Sequence, residues 1–114
     1  VGRADDVITS AGYRIGPAEI EDCLLRHPAV SAVGVVGVPD ALRTEVVTAF
    51  VVLRAGVEGK LELARELQEH VRSRLGGHQY PRVVHFIDEL PVTITGKIVR
   101  RELRRIALEG VPAA

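Results

Sequence analysis

One lysine in this sequence stands where its ammonium group could act on an anion. Lys97 directly follows Gly96, and Pro91 lies shortly before both. Proline stops a strand or confines it to an edge because it has no backbone N–H, and glycine lets the chain bend sharply. We therefore predict a turn that holds Lys97 between an extended segment and a helix. In a water-poor site, a cation held in this way can supply about 3–4 kcal/mol of transition-state stabilisation.

Spacing alone leaves a second interpretation of Lys97, that of an ordinary solvated lysine on a turn. The residue after Lys97 is Ile98, and no glycine lies at the upstream interval that a GxxxxGK[ST] loop requires. The sequence therefore does not predict a phosphate-binding loop of that kind.

Two arginines and an acidic pair near the start of the chain are further candidates. Arg14 falls on the return strand of a predicted hairpin, and Arg3 precedes that hairpin. A guanidinium group can hold phosphate in a fork, although solvent-facing arginines on a short ribbon fit the same positions. Asp5 and Asp6 could act as a general base or as metal ligands, but a solvated connector is favoured because no third ligand lies close in sequence.

No metal site and no nucleophile elbow is predicted. The four histidines show no HExxH spacing, Cys23 is the single cysteine, and no GxSxG sequence is present. Core or surface positions are expected for the four histidines, which are His27, His70, His78 and His85. The arginines at 100, 101, 104 and 105 could bind a phosphate backbone, but with only 2 Tyr and 2 Phe in the chain a solvated basic helix face is favoured.

Composition limits the possible classes of protein. The chain has 114 residues, which suits one domain, and its formal net charge of +0 gives no global attraction to nucleic acid or anionic lipid. No apolar run approaches the roughly 20 residues that span a bilayer. A single cysteine fits a reducing compartment, so we expect the cytoplasm. Since the sequence has no methionine and opens at Val1, we expect it to be a piece of a longer protein.

The hydrophobic pattern predicts an α+β fold, with an N-terminal β-hairpin followed by a small three-stranded sheet packed with about three helices. Two valine-rich runs joined by a short loop favour an antiparallel pair, and Pro39 with Asp40 is predicted to end the first run. Apolar residues at helical spacing mark the helices. The predicted elements are a hairpin at 7–15, helices at 17–27, 60–75 and 98–108, and strands at 29–38, 45–54 and 82–88.

Two stretches of the sequence resemble one known family. Residues 2–21 (GRADDVITSAGYRIGPAEIE) resemble the sequence that opens the C-terminal domain of adenylate-forming enzymes, and residues 90–103 (LPVTITGKIVRREL) resemble the sequence that closes it. The family includes acyl-CoA synthetases, nonribosomal peptide synthetase adenylation domains and luciferases. Residues 13–17 are most similar to short- and medium-chain acyl-CoA synthetases of the acetyl-CoA synthetase branch.

The resemblance implies a role for particular residues. Lys97 matches the lysine that bridges the substrate carboxylate and the phosphate oxygens during adenylation. Asp5 matches the hinge about which the domain rotates before the thioester-forming step, Arg3 a residue that contacts the nucleotide, and Arg14 an arginine near the phosphates. The residues that match the pantetheine path are Ser10, Ala11 and Gly12.

The resemblance also implies substrates and partners. ATP, coenzyme A and a small carboxylic acid would be the substrates, and Mg²⁺ would be bound mainly by an N-terminal domain of the same protein. Residues 1–114 would form the mobile C-terminal domain and would be inactive alone. Reversible acetylation of Lys97 by an acetyltransferase and a deacetylase is a further expectation.

Two alternatives stay open at this point. One is a nonribosomal peptide synthetase adenylation domain, whose acceptor is a carrier protein. The other is a non-enzymatic module that binds through the basic face at residues 100–105.

Overall fold

The computed structural model describes residues 7–10, 12–42, 44–77 and 79–109 of the chain. Within these ranges, five strands form one sheet and three helices pack against it, so the predicted α+β class is confirmed. The elements in chain order are β1 (Ile8–Ser10), β2 (Tyr13–Ile15), α1 (Pro17–Leu25), β3 (Val30–Asp40), β4 (Thr44–Leu53), α2 (Leu61–Leu75), β5 (Val83–Phe86) and α3 (Arg100–Glu109).

The two long strands are the centre of the sheet. β3 and β4 pair antiparallel, as predicted, from Val30 opposite Leu53 to Asp40 opposite Thr44. β5 pairs with β4 in parallel, while β1 pairs with β4 through Ser10 and Thr44. The path through the sheet is therefore β2-β1-β4-β3, with β5 also paired to β4. The predicted hairpin thus adds two strands to the predicted three-stranded sheet.

The first long strand does not end where the sequence suggested. We expected Pro39 and Asp40 to break it, but β3 continues through both, and Pro39 lies opposite Glu45. Proline is tolerated here because β3 is the outer strand of the sheet, and none of the described strands pairs with the other side of its backbone.

The sheet separates two layers of helices. On one face, α1 and α2 pack against alternate residues of the long strands, and this larger core also buries the hairpin residues Ile8 and Ile15. On the other face, α3 covers Val36 and Phe50 with Leu103, and the segment between β5 and α3 contributes Leu90 and Ile98. The predicted burial of the valine-rich strands on both faces follows from this three-layer arrangement.

Candidate functional site

Lys97 lies at the end of a short turn that hydrogen bonds tie together. The Thr93 N–H donates to the Lys97 carbonyl over 2.8 Å, and the Gly96 N–H donates to the Thr93 carbonyl over 2.9 Å. The Thr93 hydroxyl accepts from the Lys97 N–H over 3.1 Å. Val92 and Ile98 form an antiparallel bridge below the turn. This closed turn confirms the predicted position of Lys97 between an extended segment and a helix.

Gly96 makes the turn possible through its backbone conformation. Its φ is +86°, a left-handed value that costs other residues energy because their Cβ approaches the carbonyl oxygen. The side chain of Lys97 that follows is exposed. Within the described ranges, the ion pairs of the structure do not involve its ammonium group. The turn therefore presents a free cation on a fixed backbone.

The last helix starts two residues later than the predicted residue 98. Ile98 is held in the bridge to Val92, and the Val99 N–H donates to the Pro91 carbonyl over 2.9 Å. These two contacts keep the chain extended until α3 begins at Arg100. The turn and the helix are consequently joined without a flexible linker.

Arg100 binds the carboxylate of Glu21, a pairing that the sequence did not predict. Its Nη2 lies 2.8 Å and 2.7 Å from Oε1 and Oε2 of Glu21 on α1, and both side chains are largely buried. Burial raises the pKa of the Glu21 carboxyl, against the opposing effects of the Val35 N–H and the Arg100 guanidinium. We had expected Arg100 to lie on a solvated basic helix face. That expectation is wrong, because its guanidinium is largely buried against Glu21.

The rest of the predicted basic face is also partly neutralised. Arg105 forms ion pairs with Glu102 and Glu109 on the same helix. The hydrogen bond from Arg105 lowers the pKa of the Glu102 carboxyl. With Arg100 and Arg105 both paired, α3 offers a weaker phosphate-binding surface than its sequence suggested, and the non-enzymatic alternative is not favoured.

The hairpin carries the second group of predicted site residues. Thr9 lies opposite Arg14, and Ser10 lies opposite Tyr13. Ser10 is buried, whereas Gly12 and Arg14 are exposed at the end of the hairpin. Gly12 has a φ of +86°, and among the described residues no atom outside its neighbours lies within 4 Å of where a Cβ would stand. The predicted site residues Arg3, Asp5 and Ala11 lie outside the described residues.

The two groups of candidates lie towards opposite edges of the sheet. Arg14 is on β2, which is the end strand on one side. Arg100, which starts the helix after Lys97, donates to the carbonyl of Val35 on β3, the end strand on the other side. The structure therefore does not bring Lys97 and Arg14 into one site within this chain.

His27, which follows the end of α1, and His70 on α2 are engaged in structural contacts. His27 accepts from the Ala29 N–H at Nδ1 and hydrogen-bonds Glu66 through Nε2, and His70 Nε2 lies 2.8 Å from the Cys23 carbonyl. Burial raises the pKa of the Cys23 thiol, which disfavours a reactive thiolate. Within the described part of the chain, no group of three or more His, Cys, Asp or Glu side chains could hold a metal ion.

An open cavity of about 590 Å³ lies where β4 and β5 end beside the loop at 54–59. Its lining includes Arg54, His85 and Asp88. None of the described candidates, Lys97, Arg14, Ser10 or Gly12, contributes to the lining. Lys97 and Gly12 are exposed and lie on turns outside this cavity. Among the described helices, none has the length and apolar character needed to cross a membrane.

Comparison with known proteins identifies similar sequences over most of the chain. The family profile described as "AMP-binding enzyme C-terminal domain" matches residues 19–97. The human protein named acyl-coenzyme A synthetase ACSM1, mitochondrial, is 54% identical over 107 residues, which are 92% of this chain and 18% of the human protein. The protein named 4-hydroxybutyrate–CoA ligase 1 of Metallosphaera sedula is 50% identical over 105 residues, which are 92% of this chain and 19% of that protein.

A solved structure with the same fold extends this similarity. An acyl-CoA synthetase of Brucella canis superposes with a TM-score of 0.89 at 58% sequence identity, over 96% of this chain and 20% of that chain. The chain thus spans about a fifth of the length of the relatives that it matches.

Proposed function

Because this chain belongs to the family of AMP-binding enzyme C-terminal domains, we propose that residues 1–114 are the mobile C-terminal domain of an AMP-forming acyl-CoA synthetase. The support is the high identity with proteins named acyl-CoA synthetase or CoA ligase. The names of these relatives do not favour the alternative acceptor, a carrier protein of a nonribosomal peptide synthetase. The longer enzyme would convert a carboxylate, ATP and coenzyme A into acyl-CoA, AMP and pyrophosphate.

The observation that carries this proposal is the free ammonium group of Lys97 on its fixed turn. In the first step, the carboxylate oxygen attacks the α-phosphorus of ATP, and the bond to pyrophosphate breaks. Two anions must approach each other for this to happen, and a cation between them lowers their repulsion. Lys97 would supply that cation. A preorganised turn helps because the ammonium group then needs little ordering at the moment of reaction.

The hairpin would serve the second step. Here the thiol of coenzyme A attacks the acyl carbon of the adenylate and releases AMP. Gly12 has open space around it, so a pantetheine arm could pass close to the backbone next to Ser10 and Ala11. Arg14 is exposed beside it and would bind phosphate oxygens.

Rotation of the domain would present the two groups in turn. Lys97 and Arg14 lie towards opposite edges of the sheet, so one orientation against an N-terminal domain cannot use both at the same place. In this proposal, Asp5 is the hinge and Arg3 contacts the nucleotide. The N-terminal domain would hold the acyl pocket and Mg²⁺, which neutralises phosphate charge, and the isolated C-terminal domain would be inactive.

Two finer parts of the prediction concern the cell. We retain the cytoplasm as the proposed compartment, although the human relative carries "mitochondrial" in its name. Fractionation of the source organism would decide between the two. The names of the relatives give no support to an acetyltransferase or a deacetylase acting on Lys97, and acetylation of Lys97 stays a prediction that peptide mass analysis can check.

Replacing Lys97 by alanine in the full-length enzyme tests the proposed function. We expect loss of acyl-adenylate formation, measured by ATP–pyrophosphate exchange, and retention of thioester formation from supplied acyl-adenylate. Lys60→Ala is the matched control, since Lys60 is the other lysine of the sequence and pairs with exposed Glu58. Equal loss of both half-reactions in Lys97→Ala, or full exchange activity, would contradict the proposal.

A further inference from the structure

The outer edge of β3 is closed at one residue by side chains from two helices. The backbone N–H of Val35 donates to Oε2 of Glu21 over 2.9 Å, and Nε of Arg100 donates to the Val35 carbonyl over 3.3 Å. Both backbone groups of Val35 therefore face the outer side of β3, where no strand of the described part of the chain pairs with it. Glu21 and Arg100 also bind each other, so three residues form one closed network.

This network joins parts of the molecule that the sheet otherwise separates. Glu21 belongs to α1, which packs on one face of the sheet, and Arg100 belongs to α3, which packs on the other. The side chain of Glu21 is 12% exposed and that of Arg100 is 18% exposed, so solvent screens the pair weakly. The position of α3 relative to β3 is therefore fixed by charged, directional bonds as well as by apolar packing.

The network lies close in sequence and in structure to the turn that carries Lys97. Arg100 is the first residue of α3, and only Ile98 and Val99 separate it from Lys97. Ile98 is held in the bridge to Val92, and Val99 donates to the Pro91 carbonyl. A shift of the Arg100 backbone would thus be transmitted to both strands of the turn.

We propose that Glu21 and Arg100 are positioning residues for Lys97, an inference that rests on the proposed role of Lys97 in adenylation. The bonds of the Arg100 guanidinium to Glu21 and Val35 fix the position of the first residue of α3. The start of α3 in turn fixes the turn from which Lys97 reaches the reacting groups. Glu21 has a second effect, since it neutralises the Arg100 guanidinium three residues from Lys97. The pair acts through geometry and contacts no substrate.

The alternative is a merely structural pair, and the two roles predict different kinetics. A buried ion pair is by itself weak evidence for net stability, because desolvation offsets much of the attraction. A positioning role would slow the step that uses Lys97 and leave the other step unchanged. A structural role would lower both half-reactions together, in proportion to the loss of folded enzyme.

The test uses three variants of the full-length enzyme. Arg100→Gln removes the charge and the fork, Arg100→Lys retains the charge without the fork, and Glu21→Gln retains an acceptor for the Val35 N–H. Because a displacement of about 1 Å can cost about a hundredfold in rate, we expect kcat for adenylation to fall about tenfold to a hundredfold in Arg100→Gln. Arg100→Lys should recover part of this loss, and thioester formation from supplied acyl-adenylate should stay at the wild-type rate in all three variants.

Val71→Ala is the matched control for lost stability. Val71 is fully buried on α2, in the core on the opposite face from α3. If the Glu21 and Arg100 variants lower both half-reactions equally, as this control does, or if adenylation is unchanged, the positioning role is overturned. Should Arg100→Gln fail to fold, Arg100→Lys and Glu21→Gln decide by the same criterion. Loss of exchange in Lys97→Ala without selective loss in these variants would leave the proposed function standing and reject only the positioning role.

Discussion

Gly34 on β3 lies directly beneath Leu103 on α3, with no room for a side chain between them. A Cβ atom at position 34 would stand 2.6 Å from Cδ1 of Leu103, and the side chains of Ile98 and Leu90 lie 3.4 Å and 3.5 Å from the same point. Leu103 is fully buried and cannot move into solvent without exposing the smaller core. The absence of a side chain at Gly34 thus lets α3 and the segment that precedes it approach the sheet.

We expect Gly34→Ala to destabilise the fold by about 1 kcal/mol. The added methyl group forces Leu103 to shift, which typically costs about 1–3 kcal/mol, and the lower entropy of the unfolded alanine chain offsets part of that cost. Urea unfolding of the 114-residue chain, followed by circular dichroism, measures the change. Gly16→Ala is the control, because no atom crowds its Cβ and its φ of −84° suits alanine. Equal stability of the two variants would contradict this account of Gly34.

Local sequence patterns sufficed to predict the helices and strands but not the contacts between distant elements. The valine-rich runs predicted the β3–β4 pair, and Pro91 with Gly96 predicted the turn before Lys97. The bond between Arg100 and Glu21 could not be predicted from the periodicity of either helix, because the two residues are 79 positions apart. The one local indication was that Glu21 lies next to the buried face of α1, where a carboxylate needs a hydrogen-bonding or charged partner.

Two other differences from the sequence analysis have the same origin. The hairpin joins the sheet through Ser10 and Thr44, a pairing that the separate patterns of the two segments do not reveal. Pro39 stays within β3 because that strand lies at the edge, and edge position depends on the order of all the strands. Local sequence patterns therefore could not predict features that depend on strand order or on packing across the sheet.

The partial burial of His85 leads us to expect a pH dependence of the free energy of unfolding. Its ring lies 5.1 Å from that of Phe50, and burial lowers the pKa of the imidazole. The unfolded chain therefore takes up a proton near the ordinary pKa of about 6.5, where the folded chain does not. This contribution to stability is fully present above that value and is lost as the pH falls from it towards the lower pKa of the folded state.

The variant His85→Gln isolates this effect. We expect the free energy of unfolding to decrease less between about pH 7.5 and about pH 5.5 in His85→Gln than in the unmodified chain, because glutamine does not titrate. Urea unfolding at the two pH values gives the difference, and the acidic groups that both chains share cancel in the comparison. The same pH dependence in both chains would show that burial of His85 has no such effect.

The proposed hinge at Asp5 predicts a separation of the two half-reactions. Proline at position 5 would fix φ near −65°, so the domain could adopt only the orientations compatible with that value. We expect Asp5→Pro in the full-length enzyme to retain one half-reaction and to lose the other, as measured by pyrophosphate exchange and by thioester formation from acyl-adenylate. Asp5→Asn keeps the backbone free and serves as the control. Full activity of Asp5→Pro in both steps would refute the hinge assignment.

The glycines Gly12 and Gly96 form a natural matched pair for the two steps. Each has a φ of +86°, and each has open space where a Cβ would stand. Alanine at either position should therefore cost a similar amount of stability, about 1–2 kcal/mol, through backbone strain alone.

The functional effects of the two substitutions should nevertheless differ. Gly96→Ala strains the turn that carries Lys97, so pyrophosphate exchange should slow while thioester formation from supplied acyl-adenylate continues. Gly12→Ala strains the hairpin and narrows the proposed pantetheine path, so the opposite result is expected. Because both variants lose stability equally, instability cannot produce opposite effects on the two half-reactions. If both substitutions slowed the same half-reaction, the assignment of one turn to each step would be wrong.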